Sequence, residues 1–355
     1  MKKINLLFLF SFIVIGFTSC EKDTVTTDNG EYFEGVFVVN EGQFMHGNAS
    51  LSFTDKNVST IENEIFKKAN GIVLGDQAQS IGFNNDKAYI VVTGSNKIEV
   101  ADVGTMQRNV TITSGLNYPR YFETISENTA LVTCWGDPND ATDDYLAVIN
   151  TTSDEVTGNI PVALGPEKMV KNNDYLFIAH QGAYSTNNKV SVFDLILKQI
   201  THSITVGDRP NSMVIKDNYL WVLCGGEPSW SATGETAGQL FKIDINNNFT
   251  IAATYDFDTT EHPKFLSIDG DKLFYNLNDK VYQMDTNAAT LPATEWLTLN
   301  GSAYNMEAND GILYITDAID YQQEGKISAY DTSNAQLLNT KTAGLIPGDI
   351  GFHLE

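Results

Sequence analysis

Short runs in which apolar and polar residues alternate recur along this chain, each ending on a carboxylate or its amide. Asn188 to Asp194, NKVSVFD, is one of them. An aliphatic residue is followed four positions later by Asp or Asn at Leu51/Asp55, Ile98/Asp102, Leu146/Asn150, Val190/Asp194, Leu240/Asp244, Val281/Asp285 and Ile327/Asp331. The intervals are 47, 48, 44, 50, 41 and 46 residues, inside the range of roughly 40–50 residues that marks propeller blades. A second marker runs in step. Pro119, Pro166, Pro210, Pro263 and Pro347, with Ala78 and Ala303 at the equivalent places, each precede a short strand. An apolar residue follows each three positions later, at Ile81, Phe122, Met169, Met213, Leu266, Met306 and Ile350. Two markers with one count predict seven repeats.

Each repeat resolves into four strands. The first follows the Pro or Ala pivot. The second is a β-rich apolar run such as Ala88–Val92, Tyr175–Ala179, Tyr219–Leu223 or Ile312–Ile315. Between them lie Asn84-Asn85-Asp86, Asn172-Asn173-Asp174, Asp217-Asn218, Asp269-Gly270-Asp271 and their equivalents. Asn, Asp and Gly tolerate positive φ, so these are tight hairpins. The third strand ends on the repeated acid, and the fourth leads to the next pivot. The acid is placed to accept backbone N–H groups of the following turn, a structural role. After Pro347 the chain has room for one strand, while the N-terminal part begins with second and third strands at Gly35–Asn40 and Ala49–Asp55. The expectation is an all-β, seven-bladed β-propeller with four-stranded blades, its ring closed by the C-terminal strand joining the N-terminal blade.

The first 32 residues break the pattern. Lys2 and Lys3 precede an apolar stretch, Leu6 to Phe17, too short for the roughly 20 residues that span a bilayer. It ends in Phe17-Thr18-Ser19-Cys20, which resembles the lipobox of bacterial lipoproteins. That resemblance implies cleavage before Cys20 and lipid attachment to it, with residues 1–19 a signal peptide. Polar, aperiodic Glu21 to Tyr32 extends the mature N-terminus from 20 to 32 as a flexible tether, leaving 33–355 as one domain. The early Glu-Lys-Asp of the tether resembles acidic signals that send such lipoproteins to the cell surface.

Composition narrows the function. A formal net charge of −23 argues against nucleic-acid binding, which needs basic surface. Of three cysteines, Cys134 and Cys224 end second strands of non-neighbouring blades, so they read as buried free thiols rather than a disulfide. There is no GxSxG, HExxH or CxxC, and no phosphate-cradling glycine loop. Acid pairs such as Asp143/Asp144 lack calcium-loop spacing. His46, His180 and His262 come from different repeats, with no spacing that supports a metal site. No catalytic residue, metal or cofactor is expected. A lyase with His180 or His262 as base is an alternative.

Loop length places the site. In four-stranded blades the second-to-third and fourth-to-first connections share one face. From pivot to repeated acid is 22 residues in the repeat of Pro263, 34 in that of Pro210 and 31 in that of Pro119. Long ordered loops carry function. The rim loops are Trp135–Asp144, His180–Tyr184, Gly225–Glu235, Asp317–Tyr321 and Glu41–His46. With the neighbours of the pivots they give the candidate ligand-binding residues: Phe44, Gln79, Tyr118, Arg120, Trp135, Lys168, His180, Tyr184, Arg209, Asn211, Trp230, His262, Tyr304 and Tyr321. Arg120, Lys168, Arg209 and Lys264 gather cations at one mouth of an acidic protein. That suits an organic ligand with carboxylate, phosphate or amide groups and an apolar body. The competing expectation is that Trp135 and Trp230 pack their own loops while the cations pair with nearby acids.

Elements such as RPNSMVIKDNYLWVL and NKVSVFD resemble the YncE-like or surface-layer family of seven-bladed propellers, over about residues 35–355. Joined to Phe17-Thr18-Ser19-Cys20, the chain is similar to propeller lipoproteins of Bacteroidetes, among them the BtuG-type proteins that capture cobalamin. The resemblance implies a surface-exposed, lipid-anchored outer-membrane protein without enzymatic activity. Its ligand would be a scarce nutrient, cobalamin first and a siderophore or related chelate second. Its partner would be a TonB-dependent outer-membrane transporter. A scaffold that binds a protein or glycan is the other alternative.

Overall fold

Seven antiparallel sheets stand around a central axis. The computed structural model describes residues 30–354; the signal segment, Cys20 and the tether up to residue 29 lie outside the described residues. Six sheets have four strands taken in chain order, spanning 78–112 (blade I), 119–161 (II), 166–205 (III), 210–256 (IV), 264–298 (V) and 305–345 (VI). Blade VII combines the last strand, Pro347–His353, with the first two, Gly35–Asn40 and Ser50–Thr54. Gly35 pairs with His353 and Val38 with Ile350, so the ring is closed as expected.

The innermost strands are Ala78–Asn84, Pro119–Ser126, Pro166–Lys171, Pro210–Lys216, Lys264–Asp269, Asn305–Asn309 and Pro347–His353. Each has a sheet neighbour on one side only. A proline is tolerated there because its missing N–H would have faced the channel. The hairpins to the second strands are two or three residues long. Asn85, Asp217, Asn218 and Asp310 adopt positive φ in them, as their residue types allow.

The second strands are apolar at almost every position because both of their faces are buried. Phe37 and Val39 of blade VII pack toward blade I, while Val36 and Val38 pack toward blade VI. The described residues form seven such clusters, one per junction between blades. Burying one Val, Leu, Ile or Phe is worth about 1.5–3 kcal/mol, so each junction is a core of its own.

All seven repeated residues, six Asp and Asn150, cap turns. Asp102, Asn150, Asp194, Asp244, Asp285 and Asp331 accept N–H groups of Thr105, Thr152, Ile196, Asn246, Asn287 and Ser333 at 2.8–3.0 Å. Asp55 accepts from the backbone of Asn57, Ser59 and Thr60 and from the hydroxyls of Ser59 and Thr60.

Two features depart from the sequence reading. Blade VII has three strands, and at its fourth position only Glu62 bridges Phe53. A short helix, Ile65–Asn70, follows and buries Ile65 and Phe66 in the junction with blade I. It stops at Gly71, whose αL conformation lets its N–H bond the Lys67 carbonyl. Tyr32, the last residue of the expected tether, packs onto the ring. Tyr32 is buried against Phe53, and its N–H bonds the Gly104 carbonyl at 2.9 Å.

Candidate functional site

The two faces of the ring differ as loop length predicts. On one, the connections are tight turns except for 286–296 in blade V and the segment after Thr54 in blade VII. On the other, the connections between second and third strands run over 41–49, 135–144, 181–188, 225–238 and 318–323, against only 278–279 in blade V. At the axial mouth of this elaborated face lies an open cavity of about 520 Å³. It is lined by Gln79, Lys168, Arg209, Asn211, Trp230, His262 and Tyr304, seven of the residues expected at the site. Glu41, Tyr121, Gln181, Lys264, Phe265, Asn305 and Gly348 complete most of the wall.

The four cations of the mouth have separate fates. Arg120 lies flat in a two-pronged pair with Glu167, Nε to Oε1 at 3.0 Å, beneath the Trp135 ring at 4.2 Å. Lys168 reaches across the ring from blade III to blade VI and pairs with Glu307 at 2.7 Å. Burial works against its charge, yet Glu307, Tyr121 and Asp349 hold the ammonium above its ordinary value. Arg209 and Lys264 have no acid partner among the described residues, and both line the cavity. The expected pairing with nearby acids therefore applies to two of the four cations.

Arg209 has φ 56°. Gln77, Tyr118 and Ile346 share this left-handed conformation at the equivalent place before the pivot. The strain thus belongs to a turn that starts several of the inner strands, not to the site.

The acids of the axis are unusual for this protein. Glu41 follows the first strand and enters over Gly348. Six blades carry a larger side chain at that position: Gln79, Arg120, Glu167, Asn211, Lys264 and Tyr304. Gly348 alone leaves room, since a Cβ there would collide with the Glu41 carboxylate. Burial pushes Glu41 up to about 7, only partly opposed by the Tyr304 hydroxyl at 3.0 Å and by Arg120. Below the cavity, burial likewise pushes Asp349 up to about 7, against the opposing charge of Lys168.

Several expected residues lie away from the cavity wall. His180 is the clearest correction. It ends a second strand opposite Pro166 and is fully buried, with Nδ1 on the Ala163 carbonyl and Nε2 on Ser191 Oγ at 2.8 Å. Burial lowers it to about 4, so it is a neutral structural side chain. Trp135 stacks on Tyr118, meets Tyr184 edge-on and donates to the Pro166 carbonyl at 3.2 Å. Trp135, Tyr118 and Arg120 thus form a packed shoulder of the mouth. Tyr184, Phe44 and Tyr321 stand exposed on the rim. Trp230 differs from Trp135: it is 80% exposed and borders the cavity.

His262 faces the Gly225 carbonyl through Nδ1 at 2.8 Å and Glu235 through Nε2 at 3.3 Å. Both nitrogens thus lie beside oxygen atoms of the neighbouring loop, which hold the ring at the cavity wall. His46 is exposed and turned to the carbonyl of Phe44. Among the described residues no three His, Cys, Asp or Glu side chains are placed to hold a metal. Cys134 and Cys224 are free and buried, and burial pushes the Cys134 thiol up to about 12.

The fold is shared with solved structures at low identity. A quinonprotein alcohol dehydrogenase-like protein from Bacteroides thetaiotaomicron superposes with a TM-score of 0.66 at 17% identity, covering 92% of this chain and 79% of that one. Hydrazine synthase from Kuenenia stuttgartiensis gives 0.63 at 15%, over 80% and 90%. Apo AztD from Citrobacter koseri gives 0.53 at 10%, over 89% and 96%. These likenesses concern the fold. No curated protein matches the sequence. Residues 34–336 match the family described as "Domain of unknown function (DUF5074)", and the chain belongs to that family.

Proposed function

We propose that this protein is a non-enzymatic binding protein that captures a small organic nutrient in the mouth cavity. The observation that carries the reading is the joint presence there of two cations without acid partners, Arg209 and Lys264, and an exposed ring, Trp230. Cations supply charge-assisted bonds to acid or amide groups, and the indole supplies a flat apolar face. The cavity is wide and open, as a site for a ligand larger than a metabolite requires. Cobalamin is the first candidate and a siderophore or related chelate the second, on the resemblance to BtuG-type propellers. The same resemblance, with the lipobox-like Phe17-Thr18-Ser19-Cys20, supports a lipid-anchored protein at the outer surface that delivers its ligand to a TonB-dependent transporter. Exposed Phe44, Met45, Tyr184 and Tyr321 on the elaborated face offer apolar area for such a partner.

Calorimetry with cyanocobalamin, haemin and ferric siderophores tests the reading. One of them is expected to bind at one per chain, with a dissociation constant of about 1 μM or tighter, and to be recovered chemically unchanged. Failure of all three classes to bind, or recovery of an altered compound, overturns it.

A further inference from the structure

Among the described residues of the cavity wall, one buried amide is left with an unpartnered donor. Asn305 opens the inner strand of blade VI, is 2% exposed and lines the cavity. Its Oδ1 accepts the N–H of Met306 at 2.8 Å. That bond fixes the amide, because the flipped orientation would set two donors against each other. Nδ2 then points elsewhere, and it has no hydrogen-bond partner among the described residues. Asn211, at the same wall, shows the contrasting case: its Nδ2 donates to the Pro263 carbonyl at 2.9 Å and its Oδ1 accepts from Ser212. Among the described residues of this wall, an orphaned buried amide donor is therefore particular to Asn305. Burying a donor without an acceptor is unfavourable and persists where a ligand satisfies it.

Lys264 and Arg209 approach the same space from blades V and IV with charges that no acid compensates. Glu41, an acid of the same cavity, is engaged by the hydroxyl of Tyr304, the residue before Asn305. A neutral acceptor would satisfy Asn305 but leave both cations uncompensated; an oxyanion satisfies all three. We infer that Asn305, Lys264 and Arg209 form an oxyanion subsite that receives a carboxylate or phosphate group of the captured ligand. The inference rests on the capture reading for the whole cavity.

The test follows the Asn305 side-chain amide in 15N-labelled protein during titration with sodium acetate, sodium phosphate and, as a control for ionic strength, sodium chloride. A saturable shift with acetate or phosphate, absent with chloride, is expected. Saturation by acetate alone assigns a carboxylate, by phosphate alone a phosphate, and by both the shared oxyanion chemistry. Lys264 is exposed, so Lys264→Gln folds normally and is expected to weaken the oxyanion at least fivefold. Asn305→Asp keeps the acceptor for Met306 and is expected to abolish binding. Equal, non-saturating shifts in all three salts, or unchanged affinity in Lys264→Gln, overturn the subsite. The two readings fail separately. Cyanocobalamin or a siderophore bound equally well by wild type and both variants sinks the subsite and leaves capture standing. Oxyanion binding by a protein that takes none of the nutrients leaves the subsite and sinks capture.

Discussion

The carboxylates of the turn face and those of the axis are held in opposite states by the same backbone plan. On the turn face, Asp55 lies below the usual carboxylate range: burial opposes this, but bonds from Ser59 and Thr60 outweigh it. Asp331 is lowered by the hydroxyl and backbone of Ser333, and Asp285 by the backbone of Asn287 and by Lys272. On the axis, Glu41 and Asp349 are pushed up to about 7 because burial exceeds what their few partners return. Where the fold supplies donors in advance, an acid is architecture and its charge is spent. Where donors are withheld, charge state stays open to whatever enters. The cations divide in the same way: Arg120 and Lys168 are consumed by Glu167 and Glu307, while Arg209 and Lys264 have no acid partner among the described residues.

This contrast can be broken by experiment. The largest effect is expected at Trp230. Trp230→Ala should weaken the captured ligand by about 2 kcal/mol, roughly thirtyfold, with no change in melting temperature. Trp135→Ala, on the packed shoulder, should cost binding less than threefold. Equal losses in calorimetry would move the site onto the shoulder.

Next is Asp55→Ala on the turn face. Removing an acceptor of five hydrogen bonds should destabilise the domain by about 1–2 kcal/mol in urea unfolding and leave ligand affinity alone. A loss of affinity there would erase the division between the faces.

The smallest effect is a titration. Below about pH 7 Glu41 is mostly neutral; as pH rises through that value it gains a negative charge inside a cavity read as binding an anion. Affinity should therefore fall severalfold between about pH 6 and pH 8. Glu41→Gln should flatten this profile without unfolding the protein. A profile equally steep in the variant would assign the titration to another group.

Much of the fold was legible because its rules are local. Alternation, Asn/Asp/Gly hairpins and the repeated acid state themselves in every copy. Half of the candidate site was legible because residues beside a pivot must face the axis. The rest depended on relations that no single repeat displays. Glu41 reaches the cavity only because Gly348, more than 300 residues later, has no side chain. His180 was misplaced although a signal existed. It aligns with Asn40, Val92, Cys134 and Cys224, which all face the start of an inner strand and are all buried. The chemistry of a free thiol predicts burial for Cys134 and Cys224 and that of an imidazole predicts a ligand for His180, whereas the shared position predicts burial for all three. Asn305 gave no sign in sequence, since an orphaned amide exists only once its neighbours are in place. The helix Ile65–Asn70 stands where a repeat should have continued, and only its capping Gly71 announces it.

The pairing of Gly35–Asn40 with Pro347–His353 has a consequence for how the molecule is made. A ribosome adds about 5–20 residues per second, so the first strand exists for tens of seconds before its partner does. Through that time the unpaired N–H and C=O groups along the open edge of this largely apolar strand are a template for any passing strand. Six blades can assemble in order as they emerge, but the seam cannot. The hazard of the design is therefore concentrated at one edge and in one interval, and a holdase that shields this N-terminal strand until the chain is complete would guard the whole ring.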